Sequence, residues 1–201
     1  MVNWQTKWNE RYDTDEFVYG MEPNQFLVEA EPTFMGKKIL CVADGEGRNG
    51  VWLAKKGYDV TSIDYAQSGI DKISSFAETQ GVSINLYCAD LFEHKMSKDY
   101  YDGIVIIYSH FDEKDSTILF EKYKKSLRPS GVIIFECFSK NQIENKSGGP
   151  KNIDLLYNLD FIKSSFSDME IIQCKENVIV LEEGPLHQGK ADVIRLIAKK
   201  R

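Results

Sequence analysis

Residues Ile39–Gly50, ILCVADGEGRNG, decide how this chain folds. The apolar run from Ile39 to Ala43 reads as a strand buried on both faces. Gly45 and Gly47 then make a sharp turn, because glycine reaches backbone angles closed to other residues and lets a ligand approach the main chain. A helix opens at about Arg48, in RNGVWLAKK. Its first turn presents unpaired N–H groups and a partial positive charge. A strand, a glycine turn and a helix in this order form a grip for a nucleotide-type cofactor.

The spacing Gly45, Gly47, Gly50 also satisfies G-x-G-x-x-G, which raises a dinucleotide reading. Asp44 and Glu46 argue against it. Two carboxylates where a pyrophosphate would sit repel it by roughly 1–4 kcal/mol at ordinary effective dielectrics. The same two acids suit a cofactor that carries an ammonium and a sulfonium, so S-adenosylmethionine is the expected cofactor. An NAD(P)-dependent oxidoreductase and a noncatalytic cofactor-binding regulator are the alternatives.

Outward from this turn, apolar runs and turn signals alternate. Gly57 caps the helix, and Tyr58–Asp64 is a second strand ending in an acid placed for the ribose hydroxyls of an adenosine cofactor. Ser68-x-x-Asp71 supplies a capping box for the next helix, which runs to about Gln80 with Ile70, Ile73, Phe76 and Ala77 on one face. Ile84–Ala89 is a third strand. Asp90 follows it, placed to accept the adenine amino group, with Leu91 beside it to pack on the ring. Ile104–Tyr108 is a fourth strand that ends in Tyr108-Ser109-His110-Phe111 at the expected switch point, where open sheets bind ligands.

A helix is expected over Asp112–Leu127, a turn at Arg128–Gly131, a strand over Val132–Phe138 and a loop over Asn141–Pro150. A helix around Ile153–Phe166 follows, then strands at Met169–Glu182 and Ala191–Lys199. The connection between these last strands is short, so they are antiparallel. The fold expected is a doubly wound α/β domain with a mostly parallel seven-stranded sheet and an antiparallel C-terminal strand. It forms one domain over 1–201.

The N-terminal segment, 1–30, is rich in aromatics. Trp4, Trp8 and Tyr12 recur every four residues on one helical face, with Arg11 beside them and Tyr19-Gly20 beyond. Two readings stand. The rings pack the segment onto the domain, or they form a lid in which aromatic faces meet a sulfonium and Arg11 pairs with a carboxylate.

Composition narrows the partners. The 201 residues carry 25 Lys plus Arg and 31 Asp plus Glu, a net −6. An acidic body disfavours binding that rests on phosphate neutralisation, so no nucleic-acid partner is expected. The cysteines, Cys41, Cys88, Cys137 and Cys174, form no C-x-x-C pair, so no metal site is expected. No signal peptide or membrane-spanning run is read, and a cytoplasmic location with a small-molecule methyl acceptor is the expectation.

These residues resemble class I S-adenosylmethionine-dependent methyltransferases, and within them the group around the tellurite-resistance and thiopurine methyltransferases. Trp4-x-x-x-Trp8 with Arg11-Tyr12, ADGEGRN at Ala43–Asn49, Asp64, Asp90-Leu91, LRPSG at Leu127–Gly131, GGP at Gly148–Pro150 and EEGPLHQG at Glu182–Gly189 carry the likeness. It implies a Rossmann-like methyltransferase fold and a soft acceptor, such as a thiol or a selenium or tellurium oxyanion. The candidate cofactor contacts are then Trp8, Arg11, Tyr19, Ala43, Asp44, Gly45, Gly47, Asn49, Asp64, Tyr65, Asp90, Leu91 and Tyr108. Tyr19, His110 and His187 are expected to line the acceptor pocket, with either histidine a candidate general base. Cys41 stands where many members carry an acid, Ala43 where they carry glycine, and Gln188 where tellurite-type members carry arginine. Asp44 or Glu46 is then expected to hold the methionyl ammonium.

Overall fold

The computed structural model describes residues 3–201, so Met1 and Val2 of the expected N-terminal segment lie outside it. Seven strands form one sheet: β1 (Lys38–Val42), β2 (Asp59–Asp64), β3 (Asn85–Cys88), β4 (Tyr101–Ile107), β5 (Leu127–Phe138), β6 (Glu170–Glu182) and β7 (Gln188–Lys199). Their spatial order is β3-β2-β1-β4-β5-β7-β6. The first five pair in parallel, and β7 runs antiparallel to both neighbours, β5 and β6. This is the expected Rossmann-like methyltransferase architecture. The order reverses between β1 and β4, so the crevice lies where their following loops part.

Successive side chains of β1 point to opposite faces. Leu40 and Val42 join the core under α5 (Glu113–Ser126) and α6 (Leu159–Ser165), with Leu119, Phe120, Tyr123 and Ile162. Ile39 and Cys41 join the other core under α2 (Gln25–Ala30) and α3 (Arg48–Lys55), with Phe26, Leu27 and Leu53. Alongside α3, the expected apolar face of α4 (Gln67–Thr79) buries Ile70, Ile73, Phe76 and Ala77. Each side of the sheet is covered, which is why the central strands read as unbroken apolar runs. Cys88, on the edge strand β3, is exposed.

Four local expectations change. The capping box at Ser68-x-x-Asp71 does not form. Instead α4 starts at Gln67, and Asn9 of α1 (Trp4–Tyr12) accepts from Ser68 N at 3.1 Å, while its carbonyl takes the Ser68 hydroxyl at 2.9 Å. The helix expected over Ile153–Phe166 breaks in two. Tyr157 is drawn into the core in extended backbone bridged to Ser139, and Asn158 restarts the chain as the cap of α6, accepting from Phe161 N at 2.7 Å. Arg128–Gly131 is a bulge inside β5, between the pairs Leu127–Tyr101 and Val132–Gly103. Of the aromatic face of α1, only Tyr12 is buried, and Trp4 is exposed under Lys7.

Among the described residues no helix is long and apolar enough to cross a membrane, and no cluster of three or more His, Cys, Asp or Glu side chains is disposed to hold a metal.

Candidate active site

The loops after β1 and β4 leave their strands through left-handed backbone. Ala43 has φ 48°, Gly45 61° and Gly47 85°, and Tyr108 has φ 53°. For Ala43 and Tyr108 this is strained geometry, which survives only where neighbours hold it. Tyr108 is held from several sides. Its N–H donates to the Glu136 carbonyl at 2.8 Å, its hydroxyl to Glu136 Oε1 at 2.6 Å, and its ring stacks on Phe138.

The acids of the glycine turn have protein partners. Asp44 turns under the loop, where its Oδ2 accepts from the Ser62 hydroxyl at 2.7 Å. Burial pushes its carboxyl up to about 7. Glu46 pairs with Lys72 at 2.7 Å and accepts from the N–H groups of Val18 and Tyr19 at 3.3 Å each. Instead of presenting two free carboxylates, the turn uses one as a buried prop and the other to dock the N-terminal segment. Asn49 is also engaged, since its Oδ1 accepts from Asn24 N at 2.9 Å.

Asp64, at the end of β2, lies against the same turn. Its Oδ2 accepts from Gly45 N at 2.8 Å and its Oδ1 from Ala66 N at 2.9 Å. Burial raises its carboxyl to about 6 against these stabilising N–H groups. Asp90 accepts from Phe92 N at 2.8 Å, Leu91 is buried, and Tyr65 is exposed. Each carboxylate keeps lone pairs beyond those bonds, since a carboxylate offers about four acceptor sites.

Over this half lies the N-terminal segment. The Tyr12 ring sits on Gly45, where an added Cβ would come within 2.9 Å of its hydroxyl. Trp8 stacks on Tyr12 at 5.5 Å, Arg11 lies 4.7 Å over Trp8, and Arg11 Nη1 donates to the Tyr19 hydroxyl at 2.8 Å. A cleft of about 510 Å³ opens between this segment and α4, lined by Tyr12, Phe17, Asp71 and Lys72. It lies behind the turn, and neither Asp64 nor Asp90 lines it.

Across the crevice the β6–β7 connection brings in His187. Its ring packs against Tyr19 (4.6 Å), Tyr108 (4.8 Å) and Phe138 (5.5 Å). Nδ1 lies 3.2 Å from Oε2 of Glu183, and Gln188 caps the connection through Gly184 O at 2.7 Å. Burial lowers the His187 pKa below its ordinary value, and its own partners His187 and Arg48 hold Glu183 down at about 2 despite burial. His110 sits one layer back, stacked between Phe138 and Tyr157. Its Nδ1–H donates to the Leu155 carbonyl at 2.8 Å, and its Nε2 accepts from Phe138 N at 3.2 Å. Burial pushes its pKa down to about 4. Tyr19 and His187 therefore meet, while His110 stands behind Phe138 with both ring nitrogens committed to the backbone.

A buried polar network ties the halves together, and reading by motif passes over it. Glu136, wholly buried, takes Arg195 Nε on Oε2 and Asn24 Nδ2 on Oε1 at 2.7 Å. Asn24 Nδ2 also reaches Glu183 Oε1 at 3.1 Å, and Arg48 Nη2 donates to Glu183 Oε2 at 2.9 Å. The signal was present: Glu136 in VIIFECF and Arg195 in DVIRLIA are charges inside apolar strands, and such charges need partners.

Residues 39–131 match the family described as "Methyltransferase domain". Among curated proteins, the chain is 28% identical over 114 residues to the ubiquinone biosynthesis O-methyltransferase of Coxiella burnetii (57% of this chain, 49% of that one). It is 30% identical over 105 residues to the protein of that name in Rickettsia canadensis (51% and 43%). The chain thus spans about half the length of the curated relatives it matches. In fold it is similar to TehB from Haemophilus influenzae (TM-score 0.74, 19% identity, 98% of this chain and 67% of that one). It is also similar to the N-methyltransferase NodS from Bradyrhizobium japonicum, solved with S-adenosyl-L-homocysteine (TM-score 0.72, 12% identity, 99% of each).

The family match thus covers the segment that holds the glycine turn, and in fold the chain is similar to a protein solved with S-adenosyl-L-homocysteine. The donor set fits that molecule. The unused lone pairs of Asp64 and Asp90 stand at adjoining strand ends, beside a buried Leu91 and a turn whose left-handed backbone favours glycine.

Proposed function

We propose that this chain moves the methyl group of S-adenosylmethionine onto a hydroxyl or thiol of a small-molecule acceptor, whose proton passes to Nε2 of His187. The observation that carries this is the Glu183–His187 pair, set against Tyr19 and Tyr108 at the mouth of the switch point. A carboxylate behind one ring nitrogen fixes the proton on Nδ1 and leaves a lone pair on Nε2. Burial keeps that ring neutral, as a base must be.

On this reading Gly45, Gly47, Asp64, Tyr65, Asp90 and Leu91 hold the donor, Asp64 through the ribose hydroxyls and Asp90 through the adenine amino group. Trp8, Arg11 and Tyr19 cover it, and Arg11 takes the methionyl carboxylate. Ala43, Asp44 and Asn49 act through the shape of the turn they hold, and Tyr108 walls the crevice. When bound, the donor supplies a methyl group on a sulfonium and departs as S-adenosylhomocysteine. The acceptor lone pair forms the new bond to that methyl as the carbon–sulfur bond breaks. Glu183 stabilises the imidazolium that His187 becomes, while the closed N-terminal segment excludes water.

A soft acceptor, such as a thiolate or a selenium or tellurium oxyanion, arrives without a proton to lose and needs only positioning. The carboxylate-backed histidine favours an acceptor that must be deprotonated, and the O-methyltransferase relatives point the same way. The test is S-adenosylhomocysteine formation by purified protein offered phenols, catechols, thiols, selenite and tellurite. Turnover of a hydroxyl or thiol that collapses in His187→Gln supports the proposal. Turnover of tellurite or selenite alone, unchanged in that variant, overturns it.

A further inference from the structure

We infer that the methyl acceptor carries an anionic group, such as a carboxylate, and that Arg48 is its partner. The inference rests on the methyl-transfer reading above and names the acceptor class for the same crevice. Arg48 opens α3 directly after the glycine turn and crosses to the β6–β7 connection, where Nη2 meets Glu183. The residue is only 6% exposed, and its Nη1 is buried with no hydrogen-bond partner among the described residues. A guanidinium is a planar fork of five donors, and burying it with one arm bare is unfavourable until an acceptor meets that arm.

No acid already in the cluster supplies one. Glu183 spends Oε1 on Asn24 and Oε2 on both Arg48 Nη2 and His187. Glu136 is spent on Arg195, Asn24 and Tyr108, and Glu46 on Lys72 and the backbone of Val18 and Tyr19. None of these bonds reaches Arg48 Nη1, which is left without an acceptor among the described residues. Arg11 is a further cation, bonded to the Tyr19 hydroxyl and resting on Trp8, in no ion pair among the described residues. That leaves Arg11 for the donor carboxylate and the free arm of Arg48 for a second anion. Arg48 and His187 meet on the same Oε2 of Glu183, and the His187 ring packs on Tyr19 and Tyr108, so Arg48 lies beside this aromatic cluster. The cluster offers aromatic faces and the His187 imidazole. An aryl acid with a hydroxyl or thiol fits, with its acidic end on Arg48 and its reacting end on Nε2.

Calorimetry on the S-adenosylhomocysteine complex tests this with benzoate and benzamide, which match in shape and differ in charge. Benzoate is expected to bind at least about tenfold more tightly, as a charge-assisted hydrogen bond to Nη1 requires. Arg48→Met should abolish that preference and Arg48→Lys should reduce it, both leaving S-adenosylhomocysteine affinity within about threefold of wild type. Equal binding of the two probes to wild type overturns the inference. So does a preference that survives in Arg48→Met, or an Arg48→Lys variant that loses S-adenosylhomocysteine while keeping benzoate. Should Arg48→Met fail to fold, the wild-type pair and Arg48→Lys decide the matter. Wild-type protein that ignores S-adenosylhomocysteine sinks the methyl-transfer reading itself, a separate outcome.

Discussion

Nδ1 of His187 faces Oε2 of Glu183 at 3.2 Å, four residues apart on one strand connection. Glu183 titrates at about 2, so it is a carboxylate throughout the working range. Burial lowers the His187 pKa, so the ring is neutral at neutral pH and gains a proton only below the ordinary histidine value. For an acceptor that must lose a proton, kcat/KM is expected to be flat above about pH 7 and to fall on the acid side, with a midpoint below the unperturbed ~6.5. His187→Gln should cost about 10²–10⁴ in kcat while S-adenosylhomocysteine still binds. A pH–rate profile with calorimetry checks both.

Asp44 makes stability fall as pH rises. Its carboxyl titrates at about 7 when folded, above its ordinary 3.8, so the native state holds a proton that the unfolded chain has released. Stability is then lost as pH climbs between those values, the reverse of a salt-bridged acid. Asp64, at about 6, adds a smaller contribution of the same sign. Asp44→Asn should remove on the order of 2 kcal/mol of the wild-type loss between pH 5 and pH 8. Urea unfolding at the two pH values, compared between the proteins, gives the difference.

Asn24 donates through one nitrogen to two acids, Glu136 and Glu183, while its Oδ1 caps α2 through Leu27 N at 3.1 Å. Asn24→Ala leaves buried acceptors unmet and should cost about 2–4 kcal/mol. Asn24→Asp keeps the cap but adds a third carboxylate, so it should destabilise more than alanine at pH 8, and the gap should narrow at pH 5 as an acid protonates. The opposite ranking in denaturant melts at pH 8 contradicts this account of the network.

Gly184 has φ 67°, and its backbone presses on that of Tyr19 and Gly20. Leu186 N also donates to the Val18 carbonyl at 3.1 Å. A methyl group at Gly184 has no room, so Gly184→Ala should part the N-terminal segment from the β6–β7 connection. The expected result is faster tryptic cleavage within residues 1–22 and a KM for the donor raised about tenfold, with kcat changed less. Limited proteolysis and steady-state kinetics read the two effects.

The succession of strands along the chain, the glycine turn and the acids after β2 and β3 were legible because buried parallel strands are long apolar runs and their ends are punctuated by Asp and Gly. Side-chain direction within the turn was not. With φ positive at Ala43, Gly45 and Gly47 the chain reverses twice, and no pattern tells that Asp44 turns under and Glu46 turns toward Val18 and Lys72. The failed cap at Ser68 has a different cause, since the competing partner, Asn9, is 59 residues away. Tyr157 escaped notice because a lone aromatic amid helix formers gives no hint that Ser116, Phe111 and Ser139 claim it. Glu136 and Arg195 could have been paired from sequence alone.

Reversal of β7 has one more result. It folds the β6–β7 connection back to the rim where β1 and β4 end, so the two sides of the crevice come from distant stretches of chain. On the proposed function, exchanging residues 183–189 for another such hairpin would change the acceptor and leave the first hundred residues unedited, a separation by which one scaffold acquires new chemistry piecemeal.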